Sequence, residues 1–241
     1  LEGESLDSVL VREAPLPPAR VAFFAIQVLA ALEAMHERNI VHRDLKPDNI
    51  FVSASSGVPD IARLLDFGIA RVVELDGDSK MTTTGQVLGT PAYMSPEQAK
   101  GMPVTPSADL YALGVVMYES LTGRAPFNAD NYHQLLFKIV EGNPTKLSEL
   151  CPGVDEDFLR LVERAMAIDT ADRFSSATQM REALAPFAAM DVLRASSSFK
   201  ATPPKPASNT DPLAATMTPQ QVTPLAFDAT AAPSATDLGA S

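Results

Sequence analysis

The sequence predicts an α+β fold that is mainly helical and contains one small β-hairpin. Apolar residues recur every three or four positions through several long segments, a spacing typical of helices that share a core. Two short apolar runs, Ile50–Ser53 and Ile61–Leu65, flank the turn-forming stretch Ser55–Asp60 and predict the hairpin. With 241 residues, of which 46% are hydrophobic, the chain is long enough for one well-packed domain and an appendage.

Two helices are predicted before the hairpin. Ser5 is a suitable N-cap for a short helix that ends at Glu13, ahead of a proline-rich stretch. A longer helix runs through His36 and ends near Asn39. Its apolar run is too short to span a bilayer and contains polar residues, so we expect a buried core helix and no membrane segment within this chain. The residues that carry its helical periodicity are Val21, Phe24, Val28, Leu32 and Met35.

Four more helices are predicted after the hairpin. The segment Ala108–Leu121 is strongly apolar and is followed by Gly123, a typical C′ residue, which predicts a central buried helix. Amphipathic periodicity predicts three further helices, at Asn131–Val140, Glu156–Ala167 and Ser176–Leu184.

Two segments lack a core-forming pattern. The polar, threonine-rich stretch Leu75–Gly89 predicts a mobile loop. Composition changes near Ala188, beyond which Ala, Pro, Thr and Ser dominate and large apolar side chains are few. Such a segment buries too little apolar surface to offset its conformational entropy. We therefore expect a folded domain over residues 1–187 and a disordered tail or linker over residues 188–241.

Charge and cysteine content exclude several classes of function. The net charge of −11 argues against a nucleic-acid partner, because phosphate contacts need clustered Lys and Arg. The single cysteine, Cys151, forms no internal disulfide, which is consistent with a reducing cytosol. The three histidines, His36, His42 and His133, lack the spacing and cysteine partners of a zinc site.

The most informative motif is His-Arg-Asp-Leu-Lys-Pro-Asp-Asn at residues 42–49, followed by Asp66-Phe67-Gly68. Phosphoryl transfer from a metal nucleotide needs a group that accepts the acceptor's hydroxyl proton and oxygen ligands that hold magnesium. Asp44, Asn49 and Asp66 supply side chains of those types, and the hairpin between Asn49 and Asp66 allows both to reach one metal ion. The sequence therefore predicts a phosphoryl-transfer site.

These motifs, together with Gly-Thr-Pro-Ala-Tyr-Met-Ser-Pro-Glu-Gln-Ala at residues 89–99, resemble the serine/threonine protein kinases of bacteria. The resemblance covers Leu1 to about Ala188. It implies a protein-kinase-like fold of which this chain carries the helical C-lobe, with transfer of the γ-phosphoryl of ATP to Ser or Thr of protein substrates. The implied cofactors are ATP and Mg²⁺, and the implied location is the cytoplasm, either free or as the cytosolic part of a membrane-anchored kinase.

The resemblance assigns the chemistry to four residues. It implies that Asp44 is the catalytic base, that Lys46 neutralises charge on the transferred phosphoryl and favours Ser/Thr acceptors, and that Asn49 and Asp66 bind magnesium. For ATP it implies contacts at three further positions. These are the backbone of Leu1 at the adenine, the side chain of Phe51 beneath the ring, and Ser5 at the ribose.

Regulatory residues also follow from the resemblance. Arg43 is expected to pair with a phosphothreonine on the activation loop, for which Thr82, Thr83 and Thr84 are the candidates. Thr90 resembles the loop threonine that bonds the catalytic Asp and Lys.

Three structural residues complete the set. Glu97 is expected to form a buried ion pair with Arg173, and Asp109 is expected to accept hydrogen bonds from the catalytic-loop backbone.

The smaller lobe of a kinase is expected to be missing from this chain. Neither a glycine-rich loop nor a Val-Ala-Ile-Lys strand precedes the catalytic loop, so we expect an N-lobe upstream and little or no activity from the fragment alone. Two alternatives stay open. One is a non-catalytic, kinase-like scaffold or binding module, and the other is a small-molecule phosphotransferase, although such enzymes usually have His-Gly-Asp in place of His-Arg-Asp.

Overall fold

Helices account for most of the secondary structure in the described residues, as the sequence predicts. The computed structural model describes residues 3–55, 58–65 and 91–188. Within those ranges the eight helices are α1 Leu6–Glu13, α2 Pro18–His36, α3 Pro96–Ala99, α4 Pro106–Thr122, α5 Tyr132–Glu141, α6 Leu147–Leu150, α7 Glu156–Ala165 and α8 Ala177–Ala188. The predicted loop Leu75–Gly89 and the tail beyond residue 188 lie outside the described residues.

A small antiparallel sheet accompanies the helices. Its strands are β1 Glu4–Ser5, β2 Ile50–Ser55 and β3 Val58–Leu64, in the order β1-β2-β3. The predicted hairpin of β2 and β3 is present, but two details of the prediction were wrong. Residues 58–60 belong to β3 and not to the turn, and a third strand pairs with β2 through Glu4 opposite Val52 and Ser5 opposite Phe51. With only two residues, β1 is too short to produce an alternating pattern.

Helix α2 lies at the centre of the core and packs against α8, β3 and α4. It is the one helix in the described ranges that is long and apolar enough, by length and composition, to cross a membrane. Its periodic residues Phe24, Val28 and Leu32 are all buried among other apolar side chains of this domain. Arg181 and Thr178 of α8 both bond the carboxylate of Glu33, which ties the two helices together.

Helix α4 is the second buried element, and nearly all of its side chains are inaccessible. It ends at Gly123, whose left-handed backbone (φ 70°) closes the helix as the sequence predicts. Helix α8 extends beyond the predicted end at Leu184 to Ala188, with Pro186 in its last turn. The ring of Phe187 packs 5.2 Å from that of Phe158, a contact that extends the buried face past the periodic region.

Candidate active site

The loop between α2 and β2 carries three of the predicted catalytic residues. Asp44 and Lys46 lie side by side, with Lys46 Nζ 3.9 Å from Asp44 Oδ2. Asn49 ends a 3₁₀ turn that begins at Pro47, and its Nδ2 atom donates to the Asp44 carbonyl at 2.7 Å and to Asp44 Oδ2 at 3.3 Å. The Asp44 side chain keeps 32% of its surface accessible, so an acceptor hydroxyl can approach its carboxylate.

The bond from Asn49 to the Asp44 carbonyl fixes which way the Asn49 amide points. Because Nδ2 is used as a donor within the loop, Oδ1 is the atom that can bind a cation. The N–H of Leu65, the last described residue before Asp66, donates to the Asn49 carbonyl at 2.8 Å. The segment that leads into Asp66 is therefore anchored at Asn49. The amide oxygen of Asn49 is a ligand type that fits Mg²⁺.

Asp109, in the first turn of α4, holds the backbone of this loop. It is 1% exposed, and its Oδ2 and Oδ1 atoms accept hydrogen bonds of 2.9 Å from the N–H groups of His42 and Arg43. His36 Nε2, at the end of α2, lies 2.8 Å from Asp109 Oδ2. Asp109 thus joins two helices to the loop that presents Asp44.

Arg43 adopts a left-handed backbone with φ of 66°. For a residue with a side chain this conformation costs about 1–2 kcal/mol, so it persists only where neighbouring groups hold it. Two side chains do so here. Asp109 accepts from the Arg43 N–H, and Gln98 Nε2 donates to the Arg43 carbonyl at 3.0 Å.

Glu97 and Arg173 form a two-pronged buried ion pair. The guanidinium of Arg173 donates to Glu97 Oε1 at 2.8 Å and to Oε2 at 2.9 Å. Arg173 is 2% exposed and Glu97 is 7% exposed. Arg173 also donates to the carbonyls of Ala167 and Ile168. Burial on its own raises the pKa of the Glu97 carboxyl, but the hydrogen bonds and charge of Arg173 outweigh it and leave that pKa below its ordinary value. The pair fixes α3 to the segment that precedes α8.

A second acidic group lies under the turn Pro91–Tyr93. The hydroxyl of Tyr93 donates to Glu119 Oε2 at 2.6 Å. Burial raises the pKa of Glu119, against the opposing effect of the Tyr93 bond, and the negative charges of Asp7 and Asp48 raise it further. Burial and the neighbouring Glu119 likewise raise the pKa of the Tyr93 phenol well above its usual range. This turn is therefore bonded to α4 just beside the catalytic loop.

Comparison with known proteins identifies the family to which this chain belongs. The family model described as "Protein kinase domain" matches residues 1–185. The chain belongs to the protein kinase family. The matched range includes the catalytic loop, the Asp109 anchor and the Glu97–Arg173 pair.

Similar proteins in bacteria carry the same family description in their names. The chain is 41% identical over 221 residues to serine/threonine-protein kinase pkn2 of Myxococcus xanthus, a match that covers 90% of this chain and 26% of that protein. It is 38% identical over 231 residues to serine/threonine-protein kinase PknH of Mycobacterium tuberculosis, covering 92% and 36%. A probable serine/threonine-protein kinase of Corynebacterium efficiens is 36% identical over 228 residues, covering 93% and 34%. The chain thus spans about a quarter to just over a third of these relatives' lengths.

Within this kinase domain the structure brings together two of the residues that the sequence predicts to contact ATP. Ser5 and Phe51 are opposite each other in the β1–β2 ladder. Ser5 Oγ accepts from the Ser8 N–H at 3.2 Å as the N-cap of α1, so its hydroxyl already has a structural use. The remaining predicted site residues lie outside the described residues. They are Leu1, Asp66, Thr82, Thr83, Thr84 and Thr90.

Two residues of the site do not appear among the sequence predictions. His36 contacts Asp109 from 73 positions away, and nothing in its local sequence indicates that contact. Gln98 is the third residue after Ser95, and the Ser-x-x-Gln pattern is a capping-box signature that was available in the sequence. That pattern indicates the bond to Ser95 but not the bond to Arg43.

Proposed function

We propose that this chain carries the catalytic loop, within a kinase C-lobe, of a serine/threonine protein kinase that transfers the γ-phosphoryl of ATP to Ser or Thr hydroxyls of protein substrates. The observation that supports it most directly is the geometry of Asp44. Its carboxylate is accessible, lies beside the ammonium of Lys46, and sits on a backbone that Asp109 holds from within the core. Phosphoryl transfer requires a base and a cation that the protein holds in place beside each other.

Each residue near Asp44 has a distinct task in this proposal. The Asp44 carboxylate accepts the hydrogen bond, and then the proton, of the acceptor hydroxyl as its oxygen becomes the nucleophile. Lys46 Nζ offsets negative charge on the transferred group and favours Ser/Thr acceptors. Asn49 Oδ1 and Asp66 would hold Mg²⁺, which when bound neutralises charge on the phosphate oxygens.

The names and sources of the relatives support a bacterial kinase that acts on proteins. A signalling role in the cytoplasm is proposed from the kinase resemblance. The resemblance adds that Arg43 would pair with a phosphate on Thr82, Thr83 or Thr84. Leu1, Ser5 and Phe51 would contact ATP.

The 241 residues contain neither a Gly-x-Gly-x-x-Gly loop nor a Val-Ala-Ile-Lys strand. Those parts cradle the phosphates in protein kinases. Correct orientation of reactants contributes about 7–11 kcal/mol, and each 1.36 kcal/mol is a factor of ten in rate. We therefore propose that this chain alone transfers phosphoryl many decades more slowly than an intact kinase, with the N-lobe motifs supplied by residues outside it.

The test is phosphate incorporation from Mg-ATP, followed by intact mass and peptide mapping with a generic protein acceptor. It compares this 241-residue chain, the protein as its gene encodes it, and the Asp44→Asn variant of each. Asp44-dependent incorporation in the encoded protein, with little in the chain alone, is the expected result. Transfer that survives Asp44→Asn would contradict the assignment of the base.

The same assay separates the alternative of a kinase-like scaffold. A scaffold would give no incorporation in any of the four proteins, including the encoded one. Rapid Asp44-dependent transfer by the 241-residue chain would instead refute the proposed dependence on additional motifs.

A further inference from the structure

We propose that Gln98 is a positioning residue of the active site, which holds the backbone that presents Asp44, an inference that rests on the proposed phosphoryl transfer. Its Nε2 atom donates to the Arg43 carbonyl at 3.0 Å, across 55 positions of sequence. Gln98 lies on α3 and is half-buried. It touches none of the reacting atoms and acts through Arg43.

The Arg43 carbonyl matters because it belongs to the peptide bond that leads into Asp44. The orientation of that peptide plane helps to set the direction in which the Asp44 side chain leaves the backbone. Arg43 itself is in the costly left-handed region, at φ 66°. Asp109 holds its N–H from the α4 side, and Gln98 holds its carbonyl from the α3 side. Loss of one of the two partners should let this peptide unit relax.

The other end of the Gln98 amide is fixed as well. Its Oε1 atom accepts from the Ser95 N–H at 3.0 Å and from Ser95 Oγ at 3.1 Å, and the Gln98 N–H completes a capping box with Ser95 Oγ. Because only oxygen can accept these bonds, the amide NH₂ must face Arg43. The orientation of the amide is therefore set by the sequence of α3 itself.

Helix α3 is a firm support for this contact. Glu97, the residue before Gln98, is held by the buried guanidinium of Arg173. Ser95, at the start of α3, directly follows the segment 91–94, in which Tyr93 is bonded to Glu119. Gln98 thus connects α3 to the backbone that presents Asp44.

Two substitutions separate the capping contact from the contact to Arg43. Gln98→Glu keeps an oxygen for Ser95 but has no NH₂ to donate to Arg43, whereas Gln98→Met loses both contacts without adding charge. Gln179→Glu is the matched control, because Gln179 Oε1 also accepts from a serine N–H, that of Ser175 at 2.8 Å, on the exposed surface of α8. All three are made in the protein as its gene encodes it.

Steady-state kinetics with Mg-ATP and a protein acceptor give the first readout. A hydrogen bond of about 0.5–1.5 kcal/mol corresponds to a change of about 3- to 10-fold in rate. We expect kcat to fall by that factor in both Gln98→Glu and Gln98→Met, with KM for ATP within about twofold of the parent. Gln98→Glu should lower the unfolding midpoint less than Gln98→Met does, because its cap is intact, and Gln179→Glu should keep the parent's kcat.

Hydrogen exchange gives a readout that does not depend on activity. The peptide containing residues 42–46 should exchange faster in both Gln98 variants than in the parent. In Gln179→Glu its exchange rate should equal that of the parent. Parent-like exchange in that peptide together with parent-like kcat would overturn the proposal. If the parent shows no Asp44-dependent transfer, the proposed kinase function fails, while the exchange data still decide whether Gln98 holds the loop.

Discussion

Arg173 makes more buried contacts than any other charged residue of the active-site region described by the structure. Its guanidinium bonds both oxygens of Glu97, and it donates to the carbonyls of Ala167 and Ile168. Replacing Arg173 with methionine leaves a buried carboxylate without its cation. We expect the free energy of unfolding to fall by about 3–5 kcal/mol, as measured by urea denaturation.

A matched surface substitution tests whether burial is the cause. Arg160 also pairs with two carboxylates, those of Glu156 and Asp157, but its side chain is 61% exposed. Arg160→Met should change the free energy of unfolding little, because exposed ion pairs contribute little net stability. Equal losses in the two variants would contradict the argument that the buried location of Arg173 makes its pair important.

For Glu119 we expect the opposite result, a substitution that increases the free energy of unfolding. Burial raises its pKa above the ordinary value of 4.5, so the folded state holds this proton more tightly than the unfolded state does. The ionised carboxylate therefore reduces stability at pH values above its folded pKa, and the reduction disappears as pH falls below about 4.5. Glu119→Gln removes the charge and keeps an oxygen for Tyr93. We expect it to be more stable than the parent at pH 7, with a difference that shrinks toward pH 4.5 in urea titrations.

A loss of stability that is the same at both pH values would refute this reading of Glu119. Such a result would mean that ionisation of Glu119 does not cause the stability difference, because an effect of the charged carboxylate must change between the two pH values. Glu149→Gln, at an exposed glutamate, is the control for the loss of one negative charge.

Helices α4 and α7 approach each other closely at Gly114. A Cβ atom at this position would lie 2.9 Å from Ala165 Cβ and 2.9 Å from Met166 Cγ. Gly114→Ala gains about 1 kcal/mol of helix propensity but overpacks this contact at a cost of about 1–3 kcal/mol. We expect a net destabilisation of about 1 kcal/mol in urea denaturation, on the balance of those two effects.

The partner substitution Ala165→Gly tests whether the contact is responsible. Made together with Gly114→Ala, it removes the methyl group that the new Cβ would meet, so the two changes should be less damaging than the sum of their separate effects. Simple additivity would show that the close approach of the helices is not the cause.

At the same scale, the elements that sequence patterns locate are those with enough residues to carry a period. The caps Ser5, Asn131 and Gly123 are used as their residue types indicate, and α2 buries the stripe that its spacing predicts. Helix α3, helix α6 and strand β1 have four, four and two residues, too few for any period to be visible.

The active site divides in the same way. Asp44, Lys46 and Asn49 are predicted from one local motif, because they lie within six consecutive residues of the chain. Asp109, in contrast, contacts His42 across 67 positions of sequence and His36 across 73. Such contacts exist only once α2 and α4 have packed. The resemblance to kinases predicts Asp109 and Arg173 as structural residues, whereas the spacing of residues in the sequence alone does not.

At the scale of the whole molecule, the described residues share one hydrophobic core, and α8 is the last described element that contributes to it. The buried residues Met180 and Leu184 on α8 pack against the interior with α2 and α7. Beyond residue 188 the sequence is rich in Ala, Pro, Thr and Ser, a composition that adds little apolar surface to a core. Stability should therefore depend on α8 and hardly at all on the longer segment that follows it.

Two truncations of the chain test that division. A chain that ends at residue 188 keeps α8 and should have a free energy of unfolding within about 0.5 kcal/mol of the 241-residue chain in urea denaturation. A chain that ends at residue 176 lacks all 12 residues of α8, exposes the α2 surface beneath it, and should not unfold cooperatively. The first truncation removes far more residues than the additional ones that the second removes. The number of residues lost therefore cannot account for the expected contrast. A loss of several kcal/mol from the first deletion alone would instead show that residues 189–241 contribute to the folded domain.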